Sequence, residues 1–299
     1  MKNEKVTIGY VVLHYYAYDS TINTIQSILE HDKSAIVIVV DNGSGNGSGK
    51  CLAEKYENAD NVRIVLLDDN LGFAKGNNVG YKILKNEYHP DYICILNNDV
   101  LLTDFNLGEK LNTAFNRYGF GVLGPHILLK NGSDFIFTNK FESAQYYEEV
   151  IANQKKTLES LEKMSELAII LRNRYKWAKR TYVQFKRKKK QKTGDTACED
   201  ALLHGCCLFF SKLFIDRFDD AFCNDTFLYA EEELLYLKCK RNAIKTLYYP
   251  NIVIRHMEDV ATNSASKKAK EKEIRRLGYS IDSLGILVDA INNPSALTD

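Results

Sequence analysis

The sequence lacks the features that identify exported, membrane-spanning and disulfide-linked proteins. Its seven cysteines are an odd number and include no Cys-x-x-Cys pair, so neither a disulfide framework nor a zinc site is predicted. It has no run of about 20 apolar residues, and its first five residues lead directly into a strand-like segment. We therefore expect a cytoplasmic protein with reduced, mostly buried thiols, neither exported nor spanning a membrane.

The chain also has almost no net charge, because its 40 lysines and arginines and its 39 acidic residues give a formal net charge of +1. That balance hides a basic segment at residues 172–192, with eleven lysines or arginines, no acid, and four interleaved aromatic residues. Two interpretations stay open: a solvated helix packing its apolar stripe on the domain, or a peripheral helix on an anionic membrane surface. Nucleic acid is a third class of partner, but no nucleic-acid-binding signature supports it.

The order of predicted elements indicates an α/β protein. Strand-like runs at 6–13, 35–40 and 62–67 alternate with helical patterns, and a further apolar run follows at 94–96. This alternation predicts a mostly parallel, doubly wound sheet flanked by helices. A helical basic insert interrupts the pattern, and a helical tail with one charged and one apolar helix ends the chain. The predicted segments are 1–140, 141–198, 199–262 and 263–299.

Polar residues follow the predicted strands at the edge where open α/β sheets bind their ligands. Asp41 follows the strand at 35–40, and Asn97, Asn98 and Asp99 follow the run at 94–96. Each feature is weak when taken singly. An acid after a strand is often only a helix cap, and a lone histidine is more often structural than a ligand. The glycines near residue 72 do not form a Walker phosphate loop, because no Gly-Lys-Ser/Thr closes it.

The order and spacing of five motifs carry more information. They are VVDNGS at 39–44, NLGFAKGNN at 70–78, LNND at 96–99, YAEE at 229–232 and IRH at 254–256. On these motifs, over about residues 5–135 and 200–260, the chain resembles the family 2 glycosyltransferases of the GT-A fold. The branch that it resembles includes bacterial rhamnosyl- and galactofuranosyl-transferases. The resemblance implies a GT-A, Rossmann-like fold and transfer of a sugar from a nucleotide donor.

In this family the first two motifs bind the nucleotide. The resemblance implies donor contacts from Asp41, Asn42, Gly43, Asn70, Gly72, Phe73, Lys75, Asn77, Asn97 and Asn98. A carboxylate at position 41 can accept a hydrogen bond from the imide N–H of uracil or thymine. We therefore expect a UDP- or dTDP-sugar donor, with dTDP-L-rhamnose as the leading guess. UDP-hexose, UDP-GlcNAc and UDP-galactofuranose are the alternatives.

The last three motifs correspond to the family's metal and base. The resemblance assigns Asp99 and His256 to a Mn²⁺ or Mg²⁺ site, which would neutralise the departing diphosphate. It assigns Glu232 as general base, supported by Glu231, with the choice among positions 231 to 233 left open. Asn97 stands where the family has the first metal-binding aspartate. Attack assisted by one base inverts the anomeric centre.

The predicted acceptor is a lipid-linked oligosaccharide of a bacterial surface polysaccharide, reached at the inner face of the plasma membrane. A sugar nucleotidyltransferase is a weak rival, because it needs a Gly-rich basic loop after the first strand, where His14 and two tyrosines stand. A catalytically inactive membrane-attached scaffold is the alternative from another class. His204 is interpreted as a strand-end residue in preference to an acceptor contact.

Overall fold

A computed structural model of the chain describes residues 6–135, 140–165, 196–257 and 269–297. The basic segment at 172–192, with its open membrane interpretation, lies outside these residues. Within them all seven cysteines are free, and four are buried, as expected. No helix among the described residues is long and apolar enough to cross a membrane.

The described strands form one mixed sheet. They are β1 Ile8–His14, β2 Ile36–Asp41, β3 Val62–Leu66, β4 Tyr92–Asn97, β5 Val100–Leu102, β6 Val122–Leu129, β7 Cys198–Glu199, β8 Cys207–Ser211 and β9 Thr246–His256. Their order is β3-β2-β1-β4-β8-β6-β9-β5, with β7 paired to β9. The pairings make β1 to β4, β6 and β9 parallel to one another, whereas β5, β7 and β8 run in the opposite direction. The predicted mostly parallel α/β sheet is confirmed.

The described helices are α1 Tyr18–His31, α2 Ser48–Lys55, α3 Gly72–Ile83, α4 Leu107–Tyr118, α5 Ala144–Glu162, α6 Lys212–Ile215, α7 Glu231–Arg241 and α8 Ala269–Asn292. A π-helical turn, Leu84–Tyr88, extends α3. The tail differs from its prediction, because α8 is one continuous helix where two were expected. No proline interrupts it, and Gly278 near the expected break is tolerated inside a packed helix.

Both faces of the sheet are covered by apolar side chains. Along β4, Cys94 and Leu96 join the cluster on one face, while Ile93 and Ile95 join the cluster on the other. This alternation explains why β4 reads as a continuous apolar run, since each of its two faces is buried. Such a strand is rigid at its end, where the polar residues begin.

The sheet register brings the polar strand ends together. In the register of the sheet, His14 of β1 pairs with Asp41 of β2, and Leu13 of β1 pairs with Asn97 of β4. On the far side of the sheet, Val100 of β5 pairs with His256 of β9. The carboxyl ends of β1, β2, β4 and β9 therefore border one cleft.

The start of the predicted insert and the tail form a helical layer together. Leu161 of α5 and Leu277 of α8 belong to one apolar cluster, and Gln154 donates a 3.0 Å hydrogen bond to the Ser280 hydroxyl. Lys270 further binds the carbonyl oxygen of Glu162. These contacts fix α8 against α5.

Candidate active site

Asp41 is held at the carboxyl end of β2. Its side chain is 7% exposed, and its Oδ1 accepts hydrogen bonds from the Ser44 hydroxyl and, at 3.2 Å, from the Ser44 backbone N–H. A Cβ placed on Gly49 would lie 1.8 Å from Asp41 Oδ2, so α2 packs directly against the carboxylate. Only glycine at position 49 leaves room for this aspartate. The carboxylate is therefore fixed in orientation before any ligand binds.

Asn42 joins the first two family motifs. Its Nδ2 donates to Asn70 Oδ1 at 2.9 Å and to the Gly72 carbonyl at 3.0 Å, while its Oδ1 accepts from the Leu71 N–H at 2.9 Å. Gly43 adopts φ +66°, with the Asp69 backbone so close that a Cβ would lie 2.5 Å away. The side chains predicted to touch the donor at 42 and 70 thus bind each other.

The motif at 70–78 forms the start of α3 and contacts the loop that contains Phe227. Gly72 has φ +83°, and a Cβ there would lie 2.3 Å from the Phe227 carbonyl oxygen, which also accepts from the Phe73 N–H at 2.8 Å. Asn77 is buried and donates to the Phe73 carbonyl, whereas Lys75 is exposed at the surface. The role of Phe227 was not evident from the sequence, since no local pattern shows which loop meets α3.

Asp99 and His256 meet where β5 pairs with β9. Asp99 Oδ1 lies 3.1 Å from His256 Nε2, and the two side chains are 14% and 13% exposed. Asn98 turns away, donating a 3.0 Å hydrogen bond to the Thr21 hydroxyl of α1. Asn97 ends β4, where its backbone N–H binds the Cys206 carbonyl. Among residues 97–99, the Asp99 side chain is the one paired with His256.

The donor set at Asp99 and His256 suits a hard divalent ion only in part. Among the described residues, no group of three or more His, Cys, Asp or Glu side chains could hold a metal. Mg²⁺ sites in phosphoryl enzymes commonly use one or two protein ligands, and substrate phosphates and water fill the rest. The pair therefore fits an ion that is completed by a bound diphosphate.

Three glutamates open α7, and their surroundings differ. Glu232 Oε1 accepts a 3.0 Å hydrogen bond from the Gly205 N–H, and a Cβ on Gly205 would come within 2.7 Å of that oxygen. Glu231 is 4% exposed, and burial, with the nearby Glu232 charge, raises its pKa to about 8. Burial and the same charge raise the pKa of Glu233 to about 7. Near neutral pH, Glu231 therefore keeps its proton.

His204 lies beside Gly205, whose N–H binds Glu232, and close to His256. Its Nδ1 accepts a 3.1 Å hydrogen bond from the Cys206 N–H, and its ring centroid is 6.2 Å from that of His256. Burial lowers its pKa, and the charges of Glu232 and Asp99 act on it in the opposite direction. β8 begins only at Cys207, so the expectation that His204 is a strand-end residue is wrong, and its ring lies near His256 at the border of the cleft. The neutral ring carries its proton on Nε2.

His14, a buried histidine at the end of β1, was not identified from the sequence as a residue of the candidate site. His14 is fully buried at the end of β1, with Nδ1 2.7 Å from the Thr21 hydroxyl and Nε2 2.7 Å from the Ser48 hydroxyl. Thr21 also accepts the hydrogen bond from Asn98. His14 thus ties α1 and α2 to the turn before Asp99. Its position at a strand end was the signal that could have identified it.

Comparison with known families decides the class. A family profile described as "Glycosyl transferase family 2" matches residues 11–211, about two thirds of the chain. The chain belongs to glycosyl transferase family 2. Family membership makes it a glycosyltransferase, in agreement with the motifs at 39–44, 70–78 and 96–99. Among curated proteins, none matches the chain.

Solved structures confirm the GT-A fold. The chain is similar to S. aureus TarS residues 1–349 in complex with UDP, with a TM-score of 0.52 and 16% identity over 84% of this chain and 60% of that chain. It is similar to the same TarS piece with UDP-GlcNAc, at TM-score 0.51 and 14% identity over 92% of this chain and 66% of that chain. The chain thus spans less than two thirds of these neighbours.

Proposed function

We propose that the protein is an inverting glycosyltransferase that moves a sugar from a UDP- or dTDP-sugar to a hydroxyl of a lipid-linked oligosaccharide. The observation that carries the proposal is the position of residues 204 and 205. The His204 ring centroid lies 6.2 Å from that of His256, and the Gly205 N–H donates a 3.0 Å hydrogen bond to Glu232 Oε1. The base and the diphosphate-binding pair thereby share one cleft. Asp41, held rigid at the adjoining strand end, suits recognition of a base with an imide N–H.

The transfer follows from these groups. The acceptor hydroxyl oxygen attacks the anomeric carbon, the bond from that carbon to the diphosphate oxygen breaks, and the hydroxyl proton moves to Glu232. Attack opposite the leaving group inverts the anomeric centre. Glu231 does not serve as base at neutral pH, because burial raises its pKa to about 8 and keeps it protonated. A bound Mn²⁺ or Mg²⁺ at Asp99 and His256 would supply positive charge for the leaving diphosphate.

The choice of sugar rests on different kinds of support. The motifs favour dTDP-L-rhamnose through the rhamnosyltransferase branch, while the TarS neighbours bind UDP and UDP-GlcNAc. Asp41 does not separate the two nucleotides, because uracil and thymine offer the same imide N–H. The lipid-linked acceptor and the docking of residues 172–192 on an anionic inner membrane face rest on the resemblance and the composition alone.

A donor panel tests the proposal. Purified protein with Mn²⁺ is incubated with dTDP-L-rhamnose, UDP-GlcNAc, UDP-galactofuranose, UDP-glucose and GDP-mannose, and nucleotide release is measured. We expect release from at least one uracil or thymine donor and none from the guanine donor. The Glu232→Gln variant should bind UDP as the wild type does but release no nucleotide above background. Absence of release from every donor would favour the catalytically inactive scaffold.

A further inference from the structure

The four residues before α7, Phe227 to Ala230, have a strained backbone and are called the base loop below. Tyr229 and Ala230 adopt φ +79° and +63°, in the left-handed region that side chains with a Cβ rarely occupy. Two consecutive residues of this kind persist only where surrounding contacts hold them. Because Glu232 is the second residue of α7, the direction in which its side chain projects depends on the conformation of this turn.

Phe227, the first residue of the base loop, is held by the start of α3. The Phe227 carbonyl accepts the 2.8 Å hydrogen bond from Phe73 at the start of α3, and Gly72 lies in direct contact with it. The nucleotide motif and the base loop are therefore joined through a backbone carbonyl. This contact fixes one end of the turn and leaves the other residues to be held from elsewhere.

The opposite side of the base loop is covered by α8. Residues on one face of that helix lie against three consecutive loop residues. Tyr279 packs its ring on Phe227 with centroids 4.4 Å apart, and Ser283 donates a 2.9 Å hydrogen bond to the Leu228 carbonyl. Burial raises the pKa of Tyr229, and the nearby Arg276 guanidinium acts against that rise. Spacings of three and four residues align these side chains along the helix.

α8 is itself anchored on both of its other sides. Arg241, at the end of α7, binds the carbonyl oxygens of Ala290 and Ala296 at 2.7 and 2.6 Å. Leu284 and Leu287 are buried in the cluster that includes Ala230. With α5 packed along its first half, the helix is a fixed support. It lies beyond residue 211, where the family match ends.

We propose that α8 is a positioning element for the general base, acting through the base loop and chiefly through Ser283. The proposal rests on the proposed function, because it assigns the loop's strained geometry to the placement of Glu232 against the donor. Ser283 is 1% exposed and touches no reacting group, so its hydroxyl acts by keeping the Leu228 carbonyl in place. We expect donor binding at Asp41 to be independent of this contact, because Ser44 holds the Asp41 carboxylate.

Two serine variants on the same helix test the idea. Ser283→Ala removes the hydrogen bond to the base loop, and Ser280→Ala removes a hydrogen bond of similar length to α5 as a matched control. With the panel donor that shows the fastest release, Ser283→Ala should lower kcat about tenfold with the donor KM unchanged. Ser280→Ala should keep the wild-type kcat.

Hydrogen exchange gives a readout that does not need turnover. Backbone amides in 227–231 should exchange at least about fivefold faster in Ser283→Ala than in Ser280→Ala, because the loop opens more often without its carbonyl partner. UDP affinity, measured by calorimetry, should be the same in both variants. Equal exchange and equal kcat in the two variants would overturn the proposal.

The Glu232→Gln variant separates this failure from failure of the proposed function. If Glu232→Gln is inactive while Ser283→Ala turns over normally, the positioning role is wrong and the base assignment stands. If Glu232→Gln keeps the wild-type kcat, both the base assignment and the positioning role built on it are overturned. Loss of kcat in both variants, with intact UDP binding, supports them together.

Discussion

Asp99 and His256 are 157 positions apart in the chain, yet the carboxylate oxygen and the imidazole nitrogen lie 3.1 Å apart. A different element of the sheet positions each of these two residues. Asp99 occupies the turn between β4 and β5, and His256 ends β9, which pairs with β5. Two side chains brought together by strand pairing are held with little freedom, which is consistent with the diphosphate site that we propose here.

The Asp99→Ala variant should lose divalent-ion binding. Removing the single carboxylate of the pair should weaken Mn²⁺ binding more than about tenfold in the presence of UDP, and divalent-dependent nucleotide release should fall with it. Calorimetric titration of Mn²⁺ into the protein with UDP measures the first effect without turnover. Asp289→Ala, which removes an exposed carboxylate from α8, should bind Mn²⁺ as the wild type does. Unchanged Mn²⁺ affinity in Asp99→Ala would remove Asp99 from the metal site.

Glu231 should make the protein less stable as the pH rises. Burial and the Glu232 charge raise its pKa from 4.5 to about 8 in the folded protein. Its contribution to stability is therefore fully present below pH 4.5 and is lost progressively as the pH rises to about 8, because the unfolded chain releases the proton first. Glu231→Gln should remove the part of this dependence that Glu231 causes, leave the part caused by the raised pKa of Glu233, and raise the unfolding free energy near pH 8 by roughly 1–3 kcal/mol.

Urea unfolding at several pH values across that window measures the effect. The exposed Glu159→Gln variant on α5 is the control and should follow the wild-type pH dependence. A Glu231→Gln variant that loses stability with pH as steeply as the wild type would show that Glu231 is ionised in the folded protein. It would then compete with Glu232 for the role of base.

At the scale of elements, α7 is preceded by two left-handed residues, Tyr229 and Ala230, and followed by a third, Ala243. The Ile244 N–H binds the Cys239 carbonyl at 2.9 Å, the six-to-one hydrogen bond that closes a Schellman motif. Ala243, which stands where this motif prefers glycine, has φ +53° and an exposed side chain. The first residues of α7 take part in the proposed mechanism. The residues after its end do not, so a substitution there can raise stability without changing the proposed site.

Ala243→Gly should therefore stabilise the protein by about 1 kcal/mol, because glycine adopts the left-handed conformation without the Cβ penalty. Urea unfolding monitored by circular dichroism measures the change. Ala53→Gly inside α2 is the opposite-sign control and should destabilise by about 0.5–1 kcal/mol. A destabilised Ala243→Gly variant would mean that the alanine methyl group makes a contact worth more than the backbone strain.

Most of the elements that carry the site follow from local patterns. The strands predicted at 35–40 and 62–67 are β2 and β3 with ends shifted by one residue, because β-branched runs bounded by turn residues define them strongly. The base loop stays outside α7, which begins at Glu231, because its backbone carbonyls are held by α3 on one side and α8 on the other.

At the scale of the whole molecule, the net charge of +1 combines +11 from the basic segment at 172–192 with −10 from the rest of the chain. Cations interleaved with aromatic residues are attracted to anionic lipid and anchor at its interface. A protein that transfers sugars to a lipid-linked acceptor would gain from this attraction, since donor and acceptor reside in different phases.

The full-length protein should bind vesicles that contain anionic phosphatidylglycerol and should be released as salt is raised. We expect sedimentation with these vesicles at about 0.1 M salt and loss of most binding near 1 M, where charges are screened within about 3 Å. Neutral phosphatidylcholine vesicles are the control and should not sediment the protein. Equal binding to both vesicle types, or to neither, would leave the segment as a solvated part of the domain.

The sequence by itself determined the family, the parallel part of the sheet and the identity of the acids and histidine at the strand ends. These depend on local periodicity and on short motifs, which neighbouring residues encode. Only the tertiary structure decided that Asp99 and not Asn98 faces His256, that His204 lies at the border of the cleft, and that α8 supports the base loop. Those contacts join residues far apart in the chain, and their geometry is set by strand register and by the packing of whole helices.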